Sequence, residues 1–271
     1  MNDAKEDAGT LPEMFDLGGR TALVAGGAGY LGSAICRGLL HHGANVIVAD
    51  LDQARADHFT ETWNRPLSGQ RCSALPLDIS DESSIGRLID RVCSDCRGLD
   101  ILINATYAPQ KCSLNDMTGG DFNTSLNGNL TGGFLLAREG RRAMSNGGSI
   151  VMFSSMYGRV SPDPSVYVDP MQPNPIEYGV AKAGIEQMIR YLAVAWAAEG
   201  IRINGVAPGP FPNPQVQQQY PDFVARLARK VPLGRIGQAN EIVGAVVFLV
   251  SDAASYVTGQ CLAIDGGWTI W

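Results

Sequence analysis

Tyr178 and Lys182 form the run Tyr-Gly-Val-Ala-Lys, and they are the pair in this sequence most suited to moving a proton. Four residues on a helix is about one turn, so both side chains lie on one face. A phenol has a reference pKa of about 10. A neighbouring ammonium favours the phenolate and lowers that value, which lets a tyrosine work as general acid or base nearer neutral pH. Taken alone, the same spacing also describes an ordinary exposed helix pair. Upstream, Ser154-Ser155 closes an apolar run. A serine at the carboxyl end of a parallel strand faces the crevice where such folds bind ligands. Asn129, in Asn-Leu-Thr-Gly, sits in a helical stretch before that run, where it can equally be a buried amide satisfying backbone groups.

A second chemistry belongs to Ala25-Gly26-Gly27-Ala28-Gly29-Tyr30-Leu31-Gly32, which follows the first apolar run and opens a helical pattern. Glycines in a strand-to-helix turn let backbone N–H groups approach a pyrophosphate, and the helix N-terminus adds favourable partial charge. Asp50 lies 24 residues after Gly26, at the end of the second strand candidate. An acid there can accept hydrogen bonds from a ribose diol and repels a 2′-phosphate. Leu51 follows it and Ser33 follows the last glycine, so the sequence offers no nearby Arg or Lys for that phosphate. The expected cofactor is NAD in preference to NADP. Asp78, in Leu-Pro-Leu-Asp-Ile-Ser, can meet the adenine amino group or cap a helix, and both readings stay open.

The elements that must hold these residues alternate along the chain. Strand candidates are 21–25, 45–49, 73–77, 101–104, 149–153, 202–206 and 260–264. They are mostly unbroken apolar runs, as expected of strands buried on both faces. Helix candidates are 31–42, 53–63, 81–96, 121–144, 176–199 and 239–251, with Asp81 and Asn240 as expected caps. This alternation implies a doubly wound α/β fold forming one domain over 1–271, with residues 1–16 as an N-terminal extension. Two stretches break the rhythm: 159–177 and 208–221 hold five prolines each, and both are expected to be loops.

Composition narrows the function. Net charge is −6, which argues against a nucleic-acid binder. No apolar run approaches the length of a membrane span, and the polar, acidic start lacks the features of a signal peptide. Six scattered cysteines and three histidines suggest neither a disulfide scaffold nor a metal site. Reduced thiols in the cytoplasm are the expectation. Only 18% of the residues are charged, below the usual quarter or so, which points to self-association.

Taken together the motifs resemble the short-chain dehydrogenase/reductase family, in its single-domain short branch, from about Leu17 to Gly267. Matching pieces are the glycine loop, Asp78, Asn104-Ala105, Asn129, Gly148 to Ser155, Tyr178 with Lys182, Ile203-Asn204, Pro208-Gly209, Pro232 to Arg235, Val257 to Gln260 and Asp265-Gly266-Gly267. The resemblance implies a seven-stranded Rossmann fold with helices on both faces. It assigns Tyr178 as acid/base. Lys182 would lower the pKa of Tyr178 and hold the nicotinamide ribose. Ser155 would bond the substrate oxygen, and Asn129 would anchor a water chain from Lys182. The cofactor contacts would be Gly26, Gly29, Tyr30, Leu31, Gly32, Asp50, Asp78, Ile79, Asn104, Ala105, Pro208, Gly209 and Phe211. It also implies a homotetramer or homodimer built on the Tyr178 helix and the long helix before it.

The sequence departs from the family pattern in places. Ala25 and Tyr30 stand where the short branch has Thr and Gly, and Gly29 gives a spacing like that of the longer, epimerase-type branch. The Asn-Asn-Ala-Gly element reads Ile103-Asn104-Ala105-Thr106, and Asn213 is offered where a Thr often follows Pro-Gly. The separation of Ser155 from Tyr178 is longer than usual, so 159–177 reads as an insertion. Tyr167 sits at the usual spacing but has Met171 in the lysine position, and is rejected as the acid/base. The insertion, ending Pro175-Ile176-Glu177-Tyr178, and the Gly-Gly-Ala-Gly-Tyr-Leu-Gly loop look like flagellin-modification and nonulosonic-acid oxidoreductases. Residues 208–232 are the expected substrate lid, whose amides and hydroxyls suit a polyol. Arg159, Arg226 and Arg229 are candidates to meet an anionic group. The expected activity is interconversion of a secondary alcohol and a ketone on a sugar-like small molecule. A 3-oxoacyl-thioester reductase and a non-catalytic dinucleotide-binding regulator are the alternatives.

Overall fold

The structure is a computed structural model, and it describes residues 10–63, 71–96, 98–108 and 113–271. The first nine residues of the expected N-terminal extension, and Cys112, lie outside the described residues. Seven strands form one parallel sheet: β1 (Thr21–Ala25), β2 (Asn45–Asp50), β3 (Cys72–Pro76), β4 (Ile101–Asn104), β5 (Gly148–Phe153), β6 (Ile201–Pro208) and β7 (Cys261–Ile264). Their order is β3-β2-β1-β4-β5-β6-β7. The chain reverses direction across the sheet between β1 and β4, which puts a ligand crevice at the carboxyl ends of those strands. In register, Ala25 stands beside Asn104 and Ala49, so the ends of β1, β2 and β4 are level.

Both faces of the sheet are covered. Leu23 and Ala25 pack in one apolar cluster with Ile47, Leu102, Ile150 and Ile203, beneath α3 (Glu82–Asp95), α5 (Gly132–Arg142) and α6 (Ile176–Trp196). Ala22 and Val24 point the other way, into a cluster with Val46, Ile103, Val151 and Val206 beneath α1 (Tyr30–His41) and α9 (Val243–Val250). Strand side chains alternate faces, so a strand buried twice must be apolar throughout. Among the described residues no helix is long and apolar enough to cross a membrane, and no three His, Cys, Asp or Glu residues group as metal ligands. The five described cysteines are free thiols.

Three expectations about elements are corrected. The helix expected over 121–144 is α4 (Gly119–Leu126), a π-helical turn (Asn127–Thr131) and α5. Its bend accommodates close backbone approach: a Cβ on Gly128 would lie 2.7 Å from the Ala108 Cβ, and one on Gly132 would lie 2.1 Å from the Ile79 carbonyl oxygen. The cap before the last helix is Gln238, not Asn240. It shares a capping box with Glu241, because a 3-10 turn (Ala239–Ile242) precedes α9. The second proline-rich stretch is not all loop, since Pro214 starts α7 (Pro214–Gln219), capped by Asn213. Asp81 caps α3 as expected, accepting from Ser83 N at 2.9 Å.

Residues 159–175 form a strap with a 3-10 turn at Pro164–Val166. The strap rests on α8 (Pro221–Lys230). Val166, Phe223, Leu227, Val231 and Trp268 share a third apolar cluster with Met156 and Tyr157.

Candidate active site

A cleft of about 1070 Å³ opens at the carboxyl ends of the strands. At one end it is lined by Gly26, Gly29, Tyr30, Leu31, Gly32 and Asp50, and in the middle by Asp78, Ile79 and Ala105. At the other end stand Ser155, Tyr178, Lys182, Pro208, Gly209 and Phe211. Residues up to 189 positions apart in sequence, Gly26 and Gln215, thus share one cavity. Of the site residues singled out from the sequence, Asn104 and Asn129 do not line it.

The glycine loop is shaped by its own backbone. Gly26 has φ +74°, the left-handed region that favours glycine. Its N–H donates to the Ala49 carbonyl at 2.8 Å. A Cβ on Gly32 would lie 2.1 Å from the Gly26 carbonyl oxygen, so helix and loop touch only because that position is bare. Gly29 caps α1 without a side chain. The N–H groups of Tyr30, Leu31 and Gly32 begin the helix and have no partner within it. They form a cradle for an anion at a helix N-terminus, and so fit the diphosphate of a dinucleotide.

Asp50 ends β2 with its carboxylate turned back onto the loop. Oδ2 accepts from Ala28 N at 3.0 Å and Oδ1 from Asp52 N at 3.1 Å. The expectation that no basic residue lies near is corrected. Arg55, in the first turn of α2 (Gln53–Trp63), lines the cleft, and its Nη2 donates to the Ala28 carbonyl at 2.8 Å. An adjoining cavity of about 520 Å³ holds Ser33, Arg37 and Arg55 together. Helix α2 folds back beside the loop, which brings in a guanidinium that adjacency in sequence does not reveal.

Asp78 is not a helix cap. Its Oδ1 accepts from Ser80 N at 2.9 Å and Ser80 Oγ at 2.6 Å, and those bonds hold its carboxyl below the usual range. Asn104 is buried, with Oδ1 accepting from Thr106 Oγ at 2.7 Å. Asn129 lies in the π-helical turn, 4% exposed. Its amide clasps Ala108, donating to the carbonyl at 2.7 Å and accepting from the N–H at 3.0 Å. It therefore fixes the strand-end loop that carries Tyr107.

At the far end, Ser155 and Lys182 are buried and Tyr178 is half-buried. Ser155 Oγ accepts from Tyr157 N at 3.2 Å, which orients it. Ser154 is committed elsewhere, donating to the Lys182 carbonyl at 3.0 Å. Lys182 Nζ donates to the Phe153 carbonyl at 2.8 Å and stands 5.5 Å from the centre of the Tyr178 ring. Burial pulls the Lys182 ammonium down to about 8. Burial also pushes the Tyr178 phenol up, against the opposing pull of the Ser155 hydroxyl. Tyr167 does not line the cleft. Its hydroxyl bonds that of Tyr157 at 2.9 Å and accepts from Asn174 N at 3.3 Å.

Two arginines expected to face an anion are engaged within the fold. Arg159 donates to Glu186 at 2.8 Å and to the Cys261 carbonyl at 2.7 Å. Arg226 donates to the carbonyls of Ser165 at 3.0 Å and Tyr167 at 2.9 Å. Sequence reasoning missed Tyr107, which lines the cleft and packs edge-on against Tyr178, ring centres 5.3 Å apart. Its place just beyond Asn104-Ala105-Thr106 was the available signal.

The comparisons with known proteins agree with this geometry. A family model described as enoyl-(acyl carrier protein) reductase matches residues 26–269. The cis-4-hydroxycyclohexanecarboxylate dehydrogenase of Sinomonas cyclohexanicum is 36% identical over 253 residues, 92% of this chain and 96% of that protein. The gluconate 5-dehydrogenase of Gluconobacter oxydans is 29% identical, covering 96% of this chain and 98% of its own. A gluconate 5-dehydrogenase from Burkholderia cenocepacia, solved with NADP and tartrate, superposes with a TM-score of 0.83 at 27% identity, covering 95% and 98% of the two chains. The chain belongs to the short-chain dehydrogenase/reductase family, and is an oxidoreductase of CH–OH groups that uses a nicotinamide dinucleotide.

Proposed function

We propose that the protein interconverts a secondary alcohol and a ketone on a sugar-derived or polyol substrate, with NAD as the preferred dinucleotide. The observation that carries this reading is the meeting of Ser155, Tyr178 and Lys182 at one end of a cleft whose other end is the glycine cradle. When bound, the dinucleotide supplies hydride transfer at its nicotinamide ring. The chain's own residues supply the rest. Ser155 Oγ donates a hydrogen bond to the substrate oxygen. Tyr178 Oη gives its proton to that oxygen in reduction and takes one from it in oxidation. Lys182 offsets the phenolate charge from beside the ring and holds the nicotinamide ribose. Asn129 keeps a lone pair of Oδ1 free of backbone, which suits an anchoring role for water leading from Lys182.

The preference for NAD is supported by the Asp50 carboxylate at the ribose end, which disfavours a 2′-phosphate. Arg55 and Arg37 weigh the other way. Asn213 and Gln215 line the substrate end of the cleft, and such amides suit hydroxyl groups. A kinship with flagellin-modification and nonulosonic-acid oxidoreductases is part of this reading, supported by the loop and the strap. We also read the chain as one cytoplasmic domain that assembles into a homodimer or homotetramer, with strap and lid flanking the nicotinamide.

Tyr178→Phe tests the proposal. Turnover on a panel of sugars, polyols and cyclic alcohols is expected to fall about 10²–10⁴-fold, the usual contribution of a general acid or base. Activity within severalfold of wild type removes Tyr178 from the role. In the same assay kcat/KM is expected to be higher with NAD than with NADP, and the reverse order sinks the cofactor preference.

A further inference from the structure

Tyr107 lines the cleft and is 53% exposed, so packing within the chain covers less than half of it. It stands at the catalytic end, where its ring meets that of Tyr178 with the two planes 82° apart. The backbone on both sides of this ring is pinned. Thr106 donates to Asn104 Oδ1 from its N–H at 3.2 Å and from its hydroxyl at 2.7 Å. Ala108 is clasped by the Asn129 amide, and a Cβ on Gly128 would lie 2.7 Å from the Ala108 Cβ. The glycine loop backs the same turn, since a Cβ on Gly26 would lie 2.8 Å from the Ala105 carbonyl oxygen. With its neighbours held, the ring is placed before any substrate arrives, and a preorganised group costs little further entropy on binding.

An aromatic face carries partial negative charge and offers a flat apolar surface. It attracts C–H groups made slightly positive by neighbouring oxygens. A closed ring gathers such C–H groups on fixed faces. An open-chain alcohol of the same size must freeze several rotors to present an equal surface, which costs entropy. The substrate end of the cleft also holds two side-chain amides, those of Asn213 and Gln215. Asn213 uses its carbonyl to accept from Val216 N at 2.9 Å, and the NH2 group of that amide can donate to a hydroxyl. An apolar wall with a few polar groups converging beside it is the usual build of a small-molecule site. Here the wall suits the C–H face of a ring and the amides suit its hydroxyls.

We propose that Tyr107 is a specificity-determining residue, whose ring receives the C–H face of a cyclic secondary alcohol and makes the site select closed-ring substrates over open-chain ones. The preference comes from apolar area removed from water on both rings and from the rotors that a closed ring has no need to freeze. The inference rests on reading the cleft as a secondary-alcohol site. It narrows the sugar-derived and polyol class to members with a closed ring.

The test is steady-state kinetics on two matched pairs: cis-1,2-cyclohexanediol with 3,4-hexanediol, and myo-inositol with D-glucitol. The members of each pair share their carbon and hydroxyl counts and differ in ring closure. Wild type is expected to favour the ring member by about tenfold in kcat/KM, chiefly through KM. Tyr107→Leu keeps apolar bulk beside Tyr178 and removes the aromatic face. It is expected to lower kcat/KM by about tenfold for the ring member and by no more than about threefold for the open chain. Tyr107→Phe keeps the face and is expected to keep the ring preference. If it loses that preference as Tyr107→Leu does, selectivity belongs to the hydroxyl and the proposal is overturned. A ring that only braces Tyr178 would lower kcat for both members alike, and that result also overturns it. So does a wild-type enzyme that uses the two members equally or prefers the open chain, a comparison that stands even if a variant does not fold. Inactivity on both ring members, beside turnover of any other secondary alcohol, overturns it as well. Absence of turnover on every alcohol strikes instead at the reading of the cleft, and this inference falls with it.

Discussion

Among the described residues no carboxylate pairs with the Lys182 ammonium, and burial holds it near 8, where an unperturbed lysine titrates at 10.5. The folded state therefore binds fewer protons than the unfolded chain between those values. Stability from this group rises as pH climbs from about 8 to 10.5, and below 8 the buried charge costs up to about 3 kcal/mol. Lys182→Met is expected to be more stable than wild type near neutral pH. The gap should shrink through that window. Denaturant midpoints at pH 7, 9 and 10 check the sign, and a gap that widened with pH would mean the ammonium has found a partner. The residue placed for chemistry would then also be one that strains the fold at physiological pH, as expected where function sets the choice.

The strap and α8 pack as one unit at the level of elements. Helix α8 turns Phe223 and Leu227 inward and offers Arg226 and Lys230 to the strap. Lys230, first, and the N–H of Ser165 hold the Asp163 carboxyl at about 2. Tyr167 packs on Phe223, ring centres 5.4 Å apart. The sequence showed an insertion beside Tyr178, and the fold packs it against α8. Combining Asp163→Ala with Arg226→Met is expected to speed amide hydrogen exchange in α8. It should raise KM for substrate severalfold with less effect on kcat. Unchanged exchange in α8 would show that this helix holds its place without the strap.

Large apolar side chains are left facing water over the molecule as a whole. Tyr191 and Val194 on α6 are 71% and 82% exposed, and Tyr256, Ile270 and Trp271 near the C-terminus are equally bare. Of the small residues of α6, Ala181 and Ala193 are buried inside the chain itself, whereas Ala183 and Ala195 are exposed beside them. Exposed apolar patches of this kind mark interaction surfaces, and low charge fits the same picture. Sedimentation is expected to give a multiple of the 28.9 kDa chain mass. Val194→Glu together with Tyr191→Glu should shift it towards one chain. A wild-type monomer would refute self-association.

What could be read before folding is what is written locally. A strand buried on both faces must be apolar throughout, so β1, β2, β4 and β5 show as runs. A phosphate cradle needs bare positions at close spacing, and a proton-transfer pair needs one helical turn. Most cleft residues were legible for that reason. The rest depends on partners distant in sequence. Nothing near Gly128 and Gly132 announces that Ala108 and Ile79 will press against them and break a long helix. Arg55 becomes a cleft residue because α2 folds back on the loop. Arg159 and Arg226 look like free charges until Glu186 and the strap carbonyls close on them. Glu177 reads as an ordinary first-turn acid, suited to a helix N-terminus. Packing buried it with no hydrogen-bond partner among the described residues, because burial and pairing are sums over neighbours that only the tertiary fold brings together.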